Sequence, residues 1–384
     1  MIEDAVPNNW KVVEWADVVT IISGKNQKDV IDENGNFPIY GSGGVMGYSN
    51  KYLCNANCTI VGRKGTINNP IYVTRPFWNV DTAFGIEPHR EVNPKYLYYF
   101  CKSFNFKKLD NSTTIPSLAK TVLLSIKMPL APKPEQDRIV AKLDELFSEI
   151  DKGVEALQKT KEQLRVYRYA VLEDCVICEN VIAIRDCISE IGQGWSPKCI
   201  NESTSDPGVW AVIKTSAIQN CRFDETENKI LPATLAPREK HQIQVDDILI
   251  TRAGPRTRCG ICCLVKRTKT KLINCDKVYR LRVDKSKALP QFIEYVLNTP
   301  SLVKKIEFCK TGGNDSGLNL TQNRFLDLTI PLPSIEEQSI IVSEIESRLS
   351  VCDKIEQTVD GALMQADNLR QSILKKVFEG KLIY

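Results

Sequence analysis

Apolar residues in this chain follow two rhythms that alternate twice. From Trp10 to about Leu130 they form short β-branched and aromatic runs closed by turn residues. Val18-Val19-Thr20-Ile21-Ile22 precedes Gly24, Phe37-Pro-Ile-Tyr40 precedes Gly41-Ser-Gly43-Gly44, and Thr59-Ile-Val61 precedes Gly62. Runs of this length with such breaks predict strands and loops. Pro94-Lys-Tyr-Leu-Tyr-Tyr-Phe-Cys-Lys102 instead places aromatic and leucine positions three or four apart and predicts a helix. Beyond Pro132 and Pro134 the rhythm changes. Ile139, Leu143, Leu146, Ile150, Leu157, Leu164, Tyr167 and Val171 are spaced by three, four or their sum, the period of one long amphipathic helix. From about Val181 to Leu332 the strand pattern returns, and after it Ile341, Ile345, Cys352, Ile355, Val359, Ala362, Leu369 and Ile373 repeat the helical one.

The repetition extends to residue identity. Pro129-Leu130, Glu135-Gln136, Ile139-Val140, Asp151-Lys152, Arg168 and Val171-Leu172 reappear 202 positions later as Pro331-Leu332, Glu337-Gln338, Ile341-Val342, Asp353-Lys354, Arg370 and Ile373-Leu374. Within the strand-rich blocks the echoes drift. Thr59-Ile-Val-Gly-Arg63-Lys-Gly65 answers to Ile248-Leu-Ile-Thr-Arg252-Ala-Gly254, Asn79-Val-Asp81 to Asn274-Cys-Asp276, and Pro94-Lys-Tyr-Leu to Pro290-Gln-Phe-Ile, with offsets growing from 189 to 196. Loop insertions between matched strands produce such drift. The chain is therefore two equivalent units, each an α+β, mostly strand block followed by a helix. Roughly forty helical residues reach about 60 Å at about 1.5 Å per residue, more than one domain core needs, so each helix has the other copy as its natural partner. Antiparallel packing would relate the two blocks by an approximate two-fold axis, with a spacer between two readers. The alternative is that each helix caps its own block.

Composition narrows the function classes. With 384 residues and 42% apolar content the chain can bury substantial cores. It has no apolar run of membrane-spanning length, and Met1-Ile2-Glu3-Asp4 does not open a signal peptide, so a cytoplasmic address is expected. The 14 cysteines are scattered, eleven of them from Cys175 onward, many in apolar runs such as Cys259-Gly-Ile-Cys262-Cys263. The pairs Cys175/Cys178 and Cys259/Cys262 could offer four thiolates to zinc, but buried thiols in a reducing cell account for them, and no metal site is expected. Net charge is only +4, yet its distribution is uneven. No acidic residue falls between Glu33 and Asp81 or between Asp247 and Asp276. Each unit thus carries one acid-free basic window, suited either to approaching phosphates or to guarding a sheet edge.

Catalytic signatures are missing. His89 and His241 are isolated in loop text, Gly41-Ser-Gly-Gly-Val-Met-Gly47 lacks the Gly-Lys-Ser/Thr ending of a phosphate loop and reads as a tight strand-to-strand turn, and no paired carboxylates suggest a nuclease metal site. Asn68-Asn69-Pro70-Ile71 superficially matches the Asn/Asp-Pro-Pro-aromatic tetrapeptide of amino-methyltransferases, but Asn69 and Ile71 supply neither its backbone shape nor its stacking ring. What remains is binding. Lys25, Arg63, Lys64, Arg75, Lys214, Arg252, Arg256 and Arg258 lie in or beside loops with Gly, Asn or Thr, where the backbone can approach a phosphate and guanidinium or ammonium groups can meet phosphates and base edges.

The order of block, Pro-Leu with Glu-Gln, long helix, the same again, and the close Arg370-Gln-Ser-Ile-Leu-Lys-Lys-Val-Phe-Glu-Gly-Lys-Leu382 resembles the specificity subunit of type I restriction-modification systems. The most specific parts are Pro331-Leu-Pro-Ser-Ile-Glu-Glu-Gln338 and Ser372-Ile-Leu through Gly380-Lys-Leu382, and Gly62-Arg63-Lys64-Gly65-Thr66 adds support. The resemblance implies a non-catalytic chain with target recognition domains at 1–133 and 178–335 and spacer helices at 134–177 and 336–384. Each domain would read one half of a bipartite site in double-stranded DNA, and the helices would set the unread gap. Implied partners are methyltransferase subunits bringing S-adenosylmethionine and a motor-nuclease subunit using ATP and Mg, with no cofactor in this chain. A stand-alone methyltransferase, a DNA binder acting without partners and a structural coiled-coil adaptor are the rival classes.

Overall fold

A computed structural model describes residues 6–110, 112 and 115–381, so Met1-Ile2-Glu3-Asp4 and Leu382 lie outside the described residues. The chain divides into two compact units, Met1–Gln158 with Asp360–Tyr384, and Lys159–Val359. Each unit therefore contains one strand-rich block, part of its own long helix and part of the other.

In the first unit Val19–Ser23, Ala83–Pro88, Cys58–Gly62 and Ile71–Val73 form an antiparallel sheet in that spatial order. A second sheet sets Gly44–Ser49, Phe37–Gly41 and Trp78–Asn79 side by side, the last pairing parallel. Lys11–Glu14 pairs with Lys127–Leu130 where the chain enters the long helix. The Gly41–Gly44 segment is the expected tight turn, joining two paired strands.

The second unit has the same frame. Ile188–Gln193, Val278–Val283, Ile248–Thr251 and Cys262–Leu264 make the four-stranded sheet, Asn228–Ile230, Ala211–Ile213 and Leu272–Ile273 the three-stranded one, and Val181–Ala183 pairs with Thr329–Pro331. Register agrees as well: Thr59 lies opposite Ile86 just as Ile248 lies opposite Leu281. The offsets drift chiefly where the second unit is longer between Gly254 and Asn274 than the first is between Gly65 and Asn79; the hairpin Ile218–Gln219 with Arg222–Phe223 and the helix Pro300–Phe308 lie outside that interval.

The two long helices run Lys133–Cys175 and Ile335–Phe378, so both begin at repeat-equivalent positions. The second start is a capping box, Ser334 Oγ accepting from Glu337 N at 3.3 Å and Glu337 accepting from Ser334 N at 2.9 Å. At the first start Glu135 is instead bonded by Trp10 Nε1 and Asn9 Nδ2, each at 3.0 Å. In both copies the glutamine that follows is buried within the block. Gln136 accepts from Asn93 N (2.7 Å) and donates to Glu91 O (3.1 Å) and Ala131 O (2.8 Å); Gln338 accepts from Leu289 N (2.8 Å) and donates to Lys287 O (3.1 Å) and Pro333 O (2.9 Å).

Within the first unit Ile139, Val140 and Leu143 share a core with Leu374, Val377 and Phe378, and Asp151 pairs with Arg370 at 2.5 Å. Within the second, Val171, Leu172 and Val176 share a core with Ile345, packed also by Ile341 and Val342, and Asp353 pairs with Arg168 at 2.7 Å. In each unit later residues of one helix meet earlier residues of the other, so the segments run antiparallel. The expected apolar seam is not continuous, since Tyr167, Ile355 and Leu369 are exposed. An antiparallel pair of straight helices drifts away from a strict seam, and burial concentrates where a strand block backs the helices.

Each buried glutamine satisfies two carbonyls and one N–H that have no other hydrogen-bond partner among the described residues. Gln338→Leu should strand them and lower denaturant stability by about 3 kcal/mol, taking each orphaned group at about 1–3 kcal/mol with partial relaxation. An unchanged unfolding midpoint would show that water replaces the amide.

Candidate nucleic-acid interface

The two acid-free windows contain the same built turn. Strand Cys58–Gly62 runs into Arg63, whose N donates to Thr82 O at 2.8 Å and whose Nη1 donates to Asp81 O at 3.4 Å. Its guanidinium lies 5.8 Å from the centre of the Phe84 ring, and its carbonyl accepts from Leu118 N at 2.8 Å. Strand Ile248–Thr251 runs into Arg252, whose N donates to Lys277 O at 2.8 Å and whose Nε donates to Asp276 O at 2.9 Å. Its guanidinium lies 5.6 Å from the Tyr279 ring, and its carbonyl accepts from Leu320 N at 2.7 Å. Every partner of Arg63 is thus repeat-equivalent to the matching partner of Arg252. Two residues on, Gly65 and Gly254 adopt positive φ, 77° and 148°, which a side chain would oppose.

Such a clamp orients a cation without neutralising it. A ring face and one carbonyl hold the guanidinium, while most of its five donors remain for a ligand. Arg63 and Arg252 are half-buried, so their stems are fixed before any ligand arrives. That is the arrangement needed for two-bond contact to guanine or a phosphate.

The other candidate residues divide. Lys25 is exposed, and its N bonds to Asn79 O at 3.0 Å, placing it on the Asn79–Thr82 run that also holds Arg63. Lys64 is exposed on the same turn and bridges Ser117. Arg75 is exposed in the loop between Ile71–Val73 and Trp78–Asn79, and no described contact joins it to Arg63. In the second unit Lys214 lines a concavity of about 520 Å³ with Lys198, Lys229, Asp276 and Lys277, and its ammonium lies 3.6 Å from Glu227. Asp276 also accepts from Arg252, so Arg252 and four lysines border one surface. Lys198, Lys229 and Lys277 are missed by the sequence reading; Lys277 stands next to the Asn274-Cys-Asp276 echo, the one signal that marks it.

Arg256 and Arg258 are committed elsewhere. Arg256 pairs with Glu307 and, at 3.0 Å, with Asp315, whose hydrogen bond holds its guanidinium above the usual arginine range. Arg258 donates from one Nη to Thr215 O and Ile218 O, both at 2.7 Å. Both arginines tie loops of the second unit together. Asn68, from the rejected tetrapeptide, is likewise structural, its side chain accepting from Phe106 N at 2.8 Å. His89 contacts Thr20 and the Asp17 carbonyl, at 3.1 and 3.0 Å.

Residues 7–159 and 187–363 match the model of the type I restriction modification DNA specificity domain. The chain belongs to that family. It is a specificity chain of a type I restriction-modification system, the recognising rather than the reacting component. The EcoKI specificity subunit of Escherichia coli strain K12 is 26% identical over 348 residues, which cover 84% of this chain and 73% of that one. The EcoBI subunit of Escherichia coli is 26% identical over 384 residues, covering 92% and 79%. The EcoEI subunit is 34% identical over 179 residues, 47% of this chain, and the match spans 30% of that longer protein. A chain from a structure titled for complex assembly and conformational transition of the type I restriction-modification system superposes with a TM-score of 0.73 at 16% identity, covering 98% of this chain and 99% of that one. At that identity the likeness establishes the specificity-subunit fold.

Arg258 and Arg63 should separate on stability. Arg258→Ala removes a guanidinium donor from two loop carbonyls and should cost about 1–3 kcal/mol in denaturant unfolding, whereas Arg63→Ala should change it by well under about 1 kcal/mol. Equal losses would mean that the Arg63 clamp serves folding rather than recognition.

Proposed function

We propose that this specificity chain reads a bipartite site in double-stranded DNA, one half through each unit, and that Arg63 and Arg252 are the anchored contacts. The recurrence of one arginine clamp on two frames with dissimilar loops carries this reading. Conserved anchoring with divergent surroundings suits two half-sites of different sequence. Lys25 and Lys64 around Arg63, and Lys198, Lys214, Lys229 and Lys277 around Arg252, supply phosphate contacts and with them salt-dependent affinity. Arg75 adds a phosphate contact of its own. Arg256 and Arg258 act through the loops they hold.

The helices Lys133–Cys175 and Ile335–Phe378 set the unread gap. Each is one unbroken helix with residues in both units, which supports that role. Methyltransferase subunits dock along them. Val166, Tyr167, Ile340, Val351 and Ile355, all exposed in the second unit, supply apolar area that the chain itself does not cover. S-adenosylmethionine, ATP and Mg belong to the methyltransferase and motor-nuclease partners. No described helix is long and apolar enough to cross a membrane, and assembly on chromosomal DNA implies a cytoplasmic complex.

Mapping methylated adenines in DNA exposed to the complex tests the whole reading. A split motif with a constant gap is expected, and a continuous motif would overturn it. Arg63→Ala and Arg252→Ala should each cost about 1–3 kcal/mol of DNA affinity and relax selection in one half of the motif only. Inserting two helical turns between Lys142 and Leu164, with a matched insertion in Ile335–Phe378, should lengthen the permitted gap; an unchanged gap would remove the ruler.

A further inference from the structure

We infer that the first unit carries a structural site for a thiophilic divalent cation of the zinc class, held by Cys54, Cys58 and Glu87. The two sulfurs and a Glu87 carboxylate oxygen all lie within 4.8 Å of one another, the one such group of three among the described residues. Both thiols are fully buried, while Glu87 is half-buried at the end of its strand and gives an entry path. The alternative pairs Cys175/Cys178 and Cys259/Cys262 are not brought together into such a group.

Two buried thiols are ordinarily just small apolar side chains. The repeat argues otherwise here, because the second unit shows what the fold places at the same positions. By register, Cys58 corresponds to Asp247, Gly85 to Arg280 and Glu87 to Arg282, and Cys54, which donates from N to Phe77 O, corresponds to Ile243, which donates to Leu272 O. In the second unit this spot is an ion network with a buried centre, Arg280 and Asp247, and an exposed edge at Glu190. Asp247 bonds Arg282 at 3.0 Å, Glu190 bonds Arg282 at 2.9 Å and pairs with Arg280, and Arg280 donates to Lys240 O and Gln242 O at 3.1 and 2.9 Å. Its centre is a guanidinium that is only 4% exposed.

The first unit has neither guanidinium, and by the same register Cys58 stands for Asp247 and Thr20 for Glu190. Gly85 replaces Arg280, and a Cβ there would stand 2.3 Å from Cys54 Sγ, so the thiol fills the volume that an arginine stem would use. Glu87 replaces Arg282. No ion pair reaches Glu87 among the described residues; its carboxylate accepts from Asn55 N at 2.6 Å and Asn55 Nδ2 at 3.4 Å. Asn79, fully buried, sets its amide oxygen beside Cys54. Its Nδ2 is spent on Ile22 O and Ala83 O, at 3.2 and 3.0 Å, which turns Oδ1 toward Cys54 Sγ at 3.3 Å. The fold imposes that orientation, because Asn274 likewise bonds Val278 O, at 2.9 Å, although no thiol faces it.

Two sulfurs and a carboxylate therefore converge, with an amide oxygen against one of the sulfurs, on the registers where the sister unit holds Arg280 and Arg282. Sulfur and oxygen donors of this kind suit tetrahedral zinc, at about 2.3 Å to sulfur and about 2.0–2.2 Å to oxygen. Binding would release the two thiol protons to solvent and leave thiolate–metal bonds, with no change of oxidation state. The ion would tie the Cys54–Cys58 loop, with its left-handed Asn57, to strands Cys58–Gly62 and Ala83–Pro88, as the ion network does in the second unit.

The test is metal analysis of the full chain, purified under reducing conditions from zinc-supplemented cells, followed by cobalt exchange. One equivalent of zinc per chain is expected, and a near-ultraviolet thiolate-to-cobalt charge-transfer band should replace it. Cys54→Ser with Cys58→Ser should abolish both, Cys175→Ser with Cys178→Ser should leave both intact, and Glu87→Gln should keep the band but weaken retention against a chelator. If the first double variant does not fold, alkylation of the unaltered chain decides: a chelator should expose two further thiols, Cys54 and Cys58. Absence of stoichiometric metal together with absence of the cobalt band, metal retained by the Cys54/Cys58 variant, or recovery of these two residues as a disulfide would each overturn the site.

Discussion

A buried side-chain amide at the start of each long helix is the constraint from which the rest of the structure follows. Gln136 and Gln338 each bond a helix-capping loop on one side and the strand-to-helix turn of the globular block on the other. An amide can serve both because it accepts and donates in one plane, and burial makes each bond expensive to leave unmade. An apolar residue in the same place would pack as well but would not choose a direction. The amide thus fixes the angle at which the helix leaves its block. In the first unit Tyr96 reinforces it, its hydroxyl donating to Pro129 O at 2.8 Å.

Once the exit is fixed, helix pairing needs little further specification. The Asp151–Arg370 and Asp353–Arg168 pairs are repeat-equivalent, each joining one helix to the other within its own unit. Their carboxylates are largely exposed, so each contributes at most about 1 kcal/mol. Their effect is on register. A parallel pairing or a slipped antiparallel one would set these charges against other partners, while the apolar contacts of Leu143 or Ile345 alone would tolerate a shift. Weak, directional pairs select among arrangements that the hydrophobic contacts leave close in energy.

The sequence made the repeat, both long helices and the strand-rich blocks legible because each depends on local periodicity or on identities recurring at fixed spacing. The arginine turn was legible for the same reason, since Arg63 and Arg252 end matched strands. What escaped depends on contacts distant in sequence. Arg256 and Arg258 read as candidate DNA contacts on a par with Arg252, and their loop partners, Glu307, Asp315 and the Thr215 and Ile218 carbonyls, could not be seen because they lie some forty to sixty positions away. Lys198 and Lys229 carry no signal in the chain, Lys277 only its place beside the Asn274-Cys-Asp276 echo, and the three meet at one concavity. Tyr167, Ile355 and Leu369 satisfied the helical period yet face solvent, because periodicity marks an apolar stripe without saying what covers it.

The duplicated frame also explains how two similar units can diverge in chemistry without losing the fold. Strand registers and turn carbonyls are set by backbone bonds, which accept almost any side chain, so the positions between strands are free to exchange function. Where the second unit joins two arginines, Glu190 and Asp247 around a buried Arg280, the first has Gly85, two thiols and Glu87. Desolvation pushes the Asp247 carboxyl up and makes that network costly unless complete, which leaves no single substitution from one solution to the other that is neutral. Arg63 and Arg252 behave oppositely. Their clamps use carbonyls and ring faces, so they survive change in every loop around them, and a cation placed that way keeps its reach to a ligand while the residues that choose among ligands vary.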